Sequence, residues 1–177
     1  MDHKFVITSL VMILLLLGGC GESTEKQNDV YLYTNSVDID YGSDICSFTN
    51  DVIETVRYGG RIILQDGEEH KFMSVECVAG FYLSMSDTER ENIESIDIVD
   101  FAHGQQYLPV DQLVFLKSSL RPSPNGMNLT AVDDSNERMK TYIYDAYPGD
   151  FYSWDEVLEM VEKEWELNGT AEQTGLK

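Results

Sequence analysis

Basic side chains are scarce in this chain of 177 residues: 12 Lys and Arg stand against 32 Asp and Glu, a formal net charge of −20. Nucleic acid and anionic lipid headgroups are excluded as electrostatic partners, because both need a positive face to displace their counterions. The acids are spread along the whole length, which is the pattern of a solvated acidic surface; the functional counterpart is an attraction for cations or for a basic partner. Catalytic signatures are also lacking. There is no Gly-x-Ser-x-Gly elbow, no His-Glu-x-x-His pair and no phosphate-binding glycine loop, so an enzyme is not expected. Cysteines number three and prolines four. Long apolar runs are missing with one exception, Phe5 to Leu17, and that run falls short of the ~20 residues a membrane-spanning helix needs.

The exception has the length and place of a signal-peptide core. It ends at Leu17-Gly18-Gly19-Cys20, where small residues let the backbone enter a peptidase cleft and a cysteine follows. This looks like a bacterial lipobox. Residues 1–19 are therefore expected to be a cleaved lipoprotein signal, and Cys20 to carry the acyl chains that anchor the protein to a membrane; two or three chains give stable anchoring where one is marginal. The expected location is the extracytoplasmic side of the cell envelope. The outer membrane is favoured where there are two, because Gly21 and Glu22 lack the Asp that signals inner-membrane retention. Residues 20–40 read as a tether, polar and without a core of their own from Gly21 to Asp29.

At 42% hydrophobic and 11% aromatic, the remainder can build a core. Arg61-Ile62-Ile63-Leu64 is a β-type run, and Asp66-Gly67 before Glu69 to Met73 is a strong hairpin signal. Ser74 can cap a helix in which Val75, Val78, Ala79, Tyr82 and Leu83 recur at helical spacing. Asp87 to Asn92 reads as a polar connection, and Ile96 to Phe101 as a strand. Gln112 to Lys117 and Asn128 to Val132 are the next two strands, around a loop with Pro122, Pro124 and Gly126. A helix over Asn136 to Tyr147, a short strand at Phe151-Tyr152 and a helix capped by Ser153 close the chain. The expected class is α+β: two small tandem ββαβ units, at 41–110 and 111–166, with a flexible tail at 167–177.

With Cys20 taken by lipid, Cys46 and Cys77 remain. Outside the cytoplasm two cysteines commonly form a disulfide; they are equally soft donors for a thiophilic metal. Their spacing leaves both open. Other soft or borderline donors are His70, Met73 and Met127, with His103 less placed. Each also has a plain reading, Met73 as core filler and His70 as an exposed hairpin residue.

The order Asp44, Cys46, Gly59-Gly60, Ile62-Ile63, Asp66-Gly67, Phe72, Glu76-Cys77 resembles the nitrous-oxide reductase accessory lipoprotein family, NosL and NosL-like proteins. Asp111 to Lys117, Ser123 to Val132 and Tyr152 to Leu158 look like that family's second half, so the resemblance covers roughly Asp44 to Val161. It implies a pair of similar ββαβ units on a lipid anchor, one bound copper(I), and a role in supplying the copper centre of nitrous-oxide reductase, with a copper-receiving protein or transporter as partner. The chain departs from the family at its soft ligands. In the pattern Cys-x-x-Cys-x-Met the first cysteine falls on Cys46, the second on Thr49 and the methionine on Asp51. In Ser/Thr-Pro-Met-Gly the methionine is replaced by Asn125, with Met127 two residues on. The candidate copper(I) donors are thus Cys46, Cys77, Met127, Met73 and His70. The alternative is a metal-free NosL-like adaptor stapled by a Cys46–Cys77 disulfide.

Overall fold

Seven strands and four helices follow one another through residues 36–167, the part that the computed structural model describes. The expected signal at 1–19, Cys20, most of the tether and all of the tail beyond 167 lie outside those residues. The first strands, β1 (Gly60–Leu64) and β2 (Glu69–Phe72), form the expected hairpin. Its turn needs a left-handed residue, which Gly67 supplies at φ +88. The Asp66 carboxylate accepts from the Glu68 N–H at 3.0 Å to hold the turn.

Helix α1 (Val75–Ser84) starts where the cap chemistry says it should: the Ser74 hydroxyl accepts from the Cys77 N–H at 3.3 Å. The stretch read as a polar connection contains a short helix instead, α2 (Asp87–Glu91). A reciprocal capping box between Ser86 and Glu89 supports it without burying any residue. Strand β3 (Ile93–Val99) then returns beside β1, and β4 (Tyr107–Pro109) adds to its far side, giving an antiparallel sheet of order β2-β1-β3-β4. Gln112, expected to open the next strand, ends a 3-10 turn at Val110–Gln112.

The second half repeats the plan. Strands β5 (Leu113–Lys117) and β6 (Leu129–Asp133) pair, helix α3 (Glu137–Ala146) crosses, and β7 (Asp150–Tyr152) returns beside β5, for the order β6-β5-β7. In both halves the first strand sits in the middle, between its hairpin partner and the strand after the helix. That is the ββαβ unit twice over, and the fold is α+β. Helix α4 (Trp154–Glu164) closes the chain, started by a Ser153–Glu156 capping box.

The halves share a core. Ile62, Phe72, Val78 and Ile98 from the first and Phe115, Leu129, Val157 and Val161 from the second belong to one buried cluster, with α1 packed on α4. A smaller cluster, Tyr58, Phe101, Leu116, Val132 and Ile143, fills the other face of the second sheet. Ile39 is buried as well, and the Val37 N–H bonds to the Gln105 carbonyl at 3.1 Å. The last residues of the stretch read as tether therefore belong to the folded unit, because an apolar side chain beside a sheet edge is more stable packed than solvated.

Candidate metal centre

Cys46 opens a tight turn on a minimal hairpin. Ile45 bridges Val52, the Cys46 N–H bonds to the Asp51 carbonyl at 2.8 Å, and the Asn50 N–H returns to the Cys46 carbonyl at 2.9 Å. Asn50 takes the left-handed conformation the turn requires, at φ 61. The turn docks on β2 through the Ser47 N–H to the Lys71 carbonyl, 2.8 Å, and a Lys71–Asp44 ion pair at 3.0 Å. This packing aims the backbone N–H groups of Thr49, Met73 and Phe48 at the Cys46 sulfur.

Cys77 reaches the same place from the first turn of α1. Both cysteines are fully buried, both are free thiols, and the two side chains hydrogen-bond to each other. The Cys77 hydrogen bond, aided by the three N–H groups and opposed by burial, pulls the Cys46 thiol down to about 5. The Cys46 sulfur, and after it burial, pushes the Cys77 thiol up. Of the two thiols Cys46 is therefore the one that ionises more readily, and Cys77 the one that keeps its proton. Cys77 Sγ also lies 3.0 Å from the Asn125 side-chain oxygen, which accepts from the Ser74 hydroxyl at 2.9 Å.

What brings the turn onto the helix is a small residue, Gly80, on the helical face that carries Cys77. The Phe48 ring stacks on Trp165 with centroids 5.4 Å apart, and both rings rest on the Gly80 backbone. A side chain at position 80 would lift Phe48, and with it the turn that presents Cys46.

The other candidates divide. Met73 belongs to the cluster: its N–H faces the Cys46 sulfur and its own sulfur lies 3.9 Å from the Thr49 hydroxyl. Met127 is 4% exposed and packs in the same core, with its N–H on the Glu76 carboxylate at 3.3 Å. His70 turns to other partners, its ring 4.7 Å from Phe81 and its Nε2 3.5 Å from Glu68. His103 pairs with the buried carboxylate of Asp100. Among the described residues no group of three His, Cys, Asp or Glu could hold a metal ion. Cys20 lies outside them.

Reasoning from the sequence missed Gly80 and the part played by Glu76. Glu76 is completely buried; one oxygen takes the Ser123 hydroxyl and the Met127 N–H, while the other has no partner. Burial pushes its carboxyl pKa up, against those hydrogen bonds. An acid inside the apolar run Val75 to Leu83 was the signal that could have marked it.

No protein-family model matches this sequence, and no curated protein matches it by sequence. Among solved structures, the chain is similar to that of the copper chaperone NosL from Shewanella denitrificans, with a TM-score of 0.55 at 15% identity. The match covers 68% of this chain and 93% of that one. The likeness is one of fold, and it agrees with the doubled ββαβ plan seen here.

Proposed function

We infer that this protein is a copper(I)-binding accessory protein, holding one ion between Cys46 and Cys77 and passing it to a receiving protein or transporter. The observation that carries the reading is the thiol pair itself, buried and in mutual contact, with the Cys46 thiol pulled down so that it ionises readily. Copper(I) selects polarizable sulfur donors, and two adjoining thiols, one of them readily ionised, are what this cluster offers, with the Met73 thioether against the neighbouring Thr49 hydroxyl. Hard-cation chemistry has less to work with: Ser74, Thr49 and Asn125 offer neutral oxygens, the one carboxylate that acts on Cys77 is the buried Glu76, and no three His, Cys, Asp or Glu among the described residues are grouped to hold an ion. The two sulfurs come from different elements, a hairpin turn and a helix, so binding would clamp one to the other. Cys46 and the three N–H groups aimed at it would hold the charge of the bound form, while Cys77 would give up its proton. The fold likeness to a copper chaperone supports the same reading, as does the resemblance drawn from the sequence, which makes the copper centre of nitrous-oxide reductase the implied destination. In this proposal acylated Cys20 keeps the folded unit at an extracytoplasmic membrane surface, close to its clients.

The test is a copper(I) titration of the reduced full chain against a competing chelator, with Cys46→Ser and Cys77→Ser in parallel. One-to-one binding that either substitution abolishes supports the reading; no binding by the fully reduced wild type would sink it. The contact between the sulfurs also favours a second reading, a metal-free adaptor stapled by a Cys46–Cys77 disulfide. A mass lower by two hydrogens before reduction, together with no copper binding after it, would establish that one instead.

A further inference from the structure

Both sulfurs are completely buried, yet any ion must reach them from solvent. The group that stands against Cys77 and is itself only half-buried is Asn125, in the loop between β5 and β6. That loop is tied to the first turn of α1 through side chains. The Ser74 hydroxyl donates to the Asn125 oxygen at 2.9 Å, and Cys77 meets the same oxygen at 3.0 Å. On the buried side, the Ser123 hydroxyl and the Met127 N–H both bond to Glu76, and the Asn128 N–H closes on the Ser123 oxygen at 2.9 Å. The Glu76 ties are deep in the core, whereas the Asn125 ties are few, neutral and next to solvent. Of the two attachments, the one over the thiols is the easier to open.

We propose that Asn125 is the access and selectivity residue of the thiol pair: an arriving soft monovalent cation displaces its amide from Cys77, and the same amide denies zinc a third strong ligand. A neutral amide is a poor donor to copper(I) or silver(I), so once displaced it does not compete for the ion. Zinc needs four donors drawn from Cys, His and carboxylates. An amide and two hydroxyls, none a usual zinc ligand, stand by the two sulfurs; the Glu76 carboxylate, which also acts on Cys77, is bonded to Ser123 and Met127, and among the described residues no three His, Cys, Asp or Glu are grouped to hold a metal. The selectivity half rests on the thiol pair being the metal site proposed above; the access half does not, because it concerns the thiols alone.

The experiment uses the reduced full chain and three probes: neutral dithiodipyridine for thiol access, silver(I) for the soft cation, and zinc. Wild type should react slowly with dithiodipyridine. Asn125→Ala should react about tenfold faster with an unchanged thermal midpoint, since only the outer attachment is cut. Pro124→Ala, exposed and making no bond to α1, should stay at the wild-type rate. Asn125→His should raise zinc affinity by about tenfold or more while leaving silver affinity within a few-fold, because the imidazole completes a third strong zinc ligand. Equal dithiodipyridine rates for wild type and Asn125→Ala, an equal acceleration by Pro124→Ala, or no gain of zinc by Asn125→His would each overturn the proposal. A wild type that binds neither copper(I) nor silver(I) would instead sink the copper reading, and the dithiodipyridine rates would still decide the access half.

Discussion

Gly80→Ala is the sharpest test of how the Cys46 turn and the Cys77 helix are held together. At an exposed site inside a helix the change would stabilise by about 1 kcal/mol, because alanine loses less backbone freedom than glycine. Here the new Cβ would stand 2.6 Å from the Trp165 ring and 2.8 Å from that of Phe48. Real Cβ atoms do not approach that closely. The two rings lie stacked against each other at 5.4 Å, so neither can retreat without disturbing its neighbour. Overpacking of this kind costs about 1–3 kcal/mol, and it outweighs the propensity gain. The expected net loss is about 1 kcal/mol, a fall of about 4 °C in thermal midpoint for a unit of this size. The loss should be accompanied by faster modification of Cys46, because lifting Phe48 opens a path to a sulfur that is completely buried in the wild type. Thermal unfolding by circular dichroism, with thiol modification on the same samples, reads both. In a Phe48→Leu background, where the narrower side chain leaves room, Gly80→Ala should cost nothing further or should stabilise. If Gly80→Ala is more stable than wild type in the native background, helix propensity has won and the close-packing argument is wrong.

Two further outcomes follow from the buried titrating groups. Cys77→Ala removes the largest cause of the depressed Cys46 pKa, so Cys46 should titrate well above its wild-type value of about 5; thiolate absorbance against pH measures this, and an unmoved curve would refute the thiol–thiolate pairing. The signs for stability are opposite for the two partners: the contribution of the lowered Cys46 is lost as the pH falls towards about 5, and that of the raised Cys77 is lost as the pH rises above the ordinary thiol pKa. Glu76 has the sign of Cys77, because its pKa is raised: its contribution is present below the ordinary glutamic pKa and lost as the pH rises through the folded-state value. Glu76→Gln keeps an oxygen for Ser123 and Met127 without the charge, so its stability relative to wild type should improve steadily with rising pH in denaturant titrations. A pH-independent difference would show that Glu76 folds as an ordinary carboxylate.

The parts of this fold that could be read in advance are those whose cause lies within a few residues. Ser74 and Ser153 cap helices because a hydroxyl reaches an N–H three positions on, and Asp66-Gly67 turns a hairpin because glycine takes a positive φ. The succession strand, strand, helix, strand in each half followed from period and punctuation, whereas the three-residue β4 was not read as a strand. The misread segments fail for reasons of the same locality. Asp87 to Glu91 buries nothing, so it offers no hydrophobic periodicity to find, and only its Ser86–Glu89 capping box marked it as helix. Ile39 looked like tether because one apolar residue among polar neighbours does not announce the sheet edge it packs against.

The site was legible as a set of candidate residues and illegible as an arrangement. Cys46 and Cys77 stood out because thiols are rare in this chain, and the sequence by itself determined that they were the soft donors to watch. Whether they meet was decided by Gly80, Phe48 and Trp165, three residues from three elements whose packing no spacing encodes. The same tertiary structure brought Met73 into the cluster, turned His70 towards Phe81, and set Asn125, a residue that reads in sequence only as a missing methionine, against the Cys77 sulfur. Local hydrogen bonds and periodicity act over a few residues and leave their mark in order and type. The meeting of the two sulfurs, and the shift each imposes on the other's ionisation, depend on contacts between segments far apart in the chain, and only the folded core sets those.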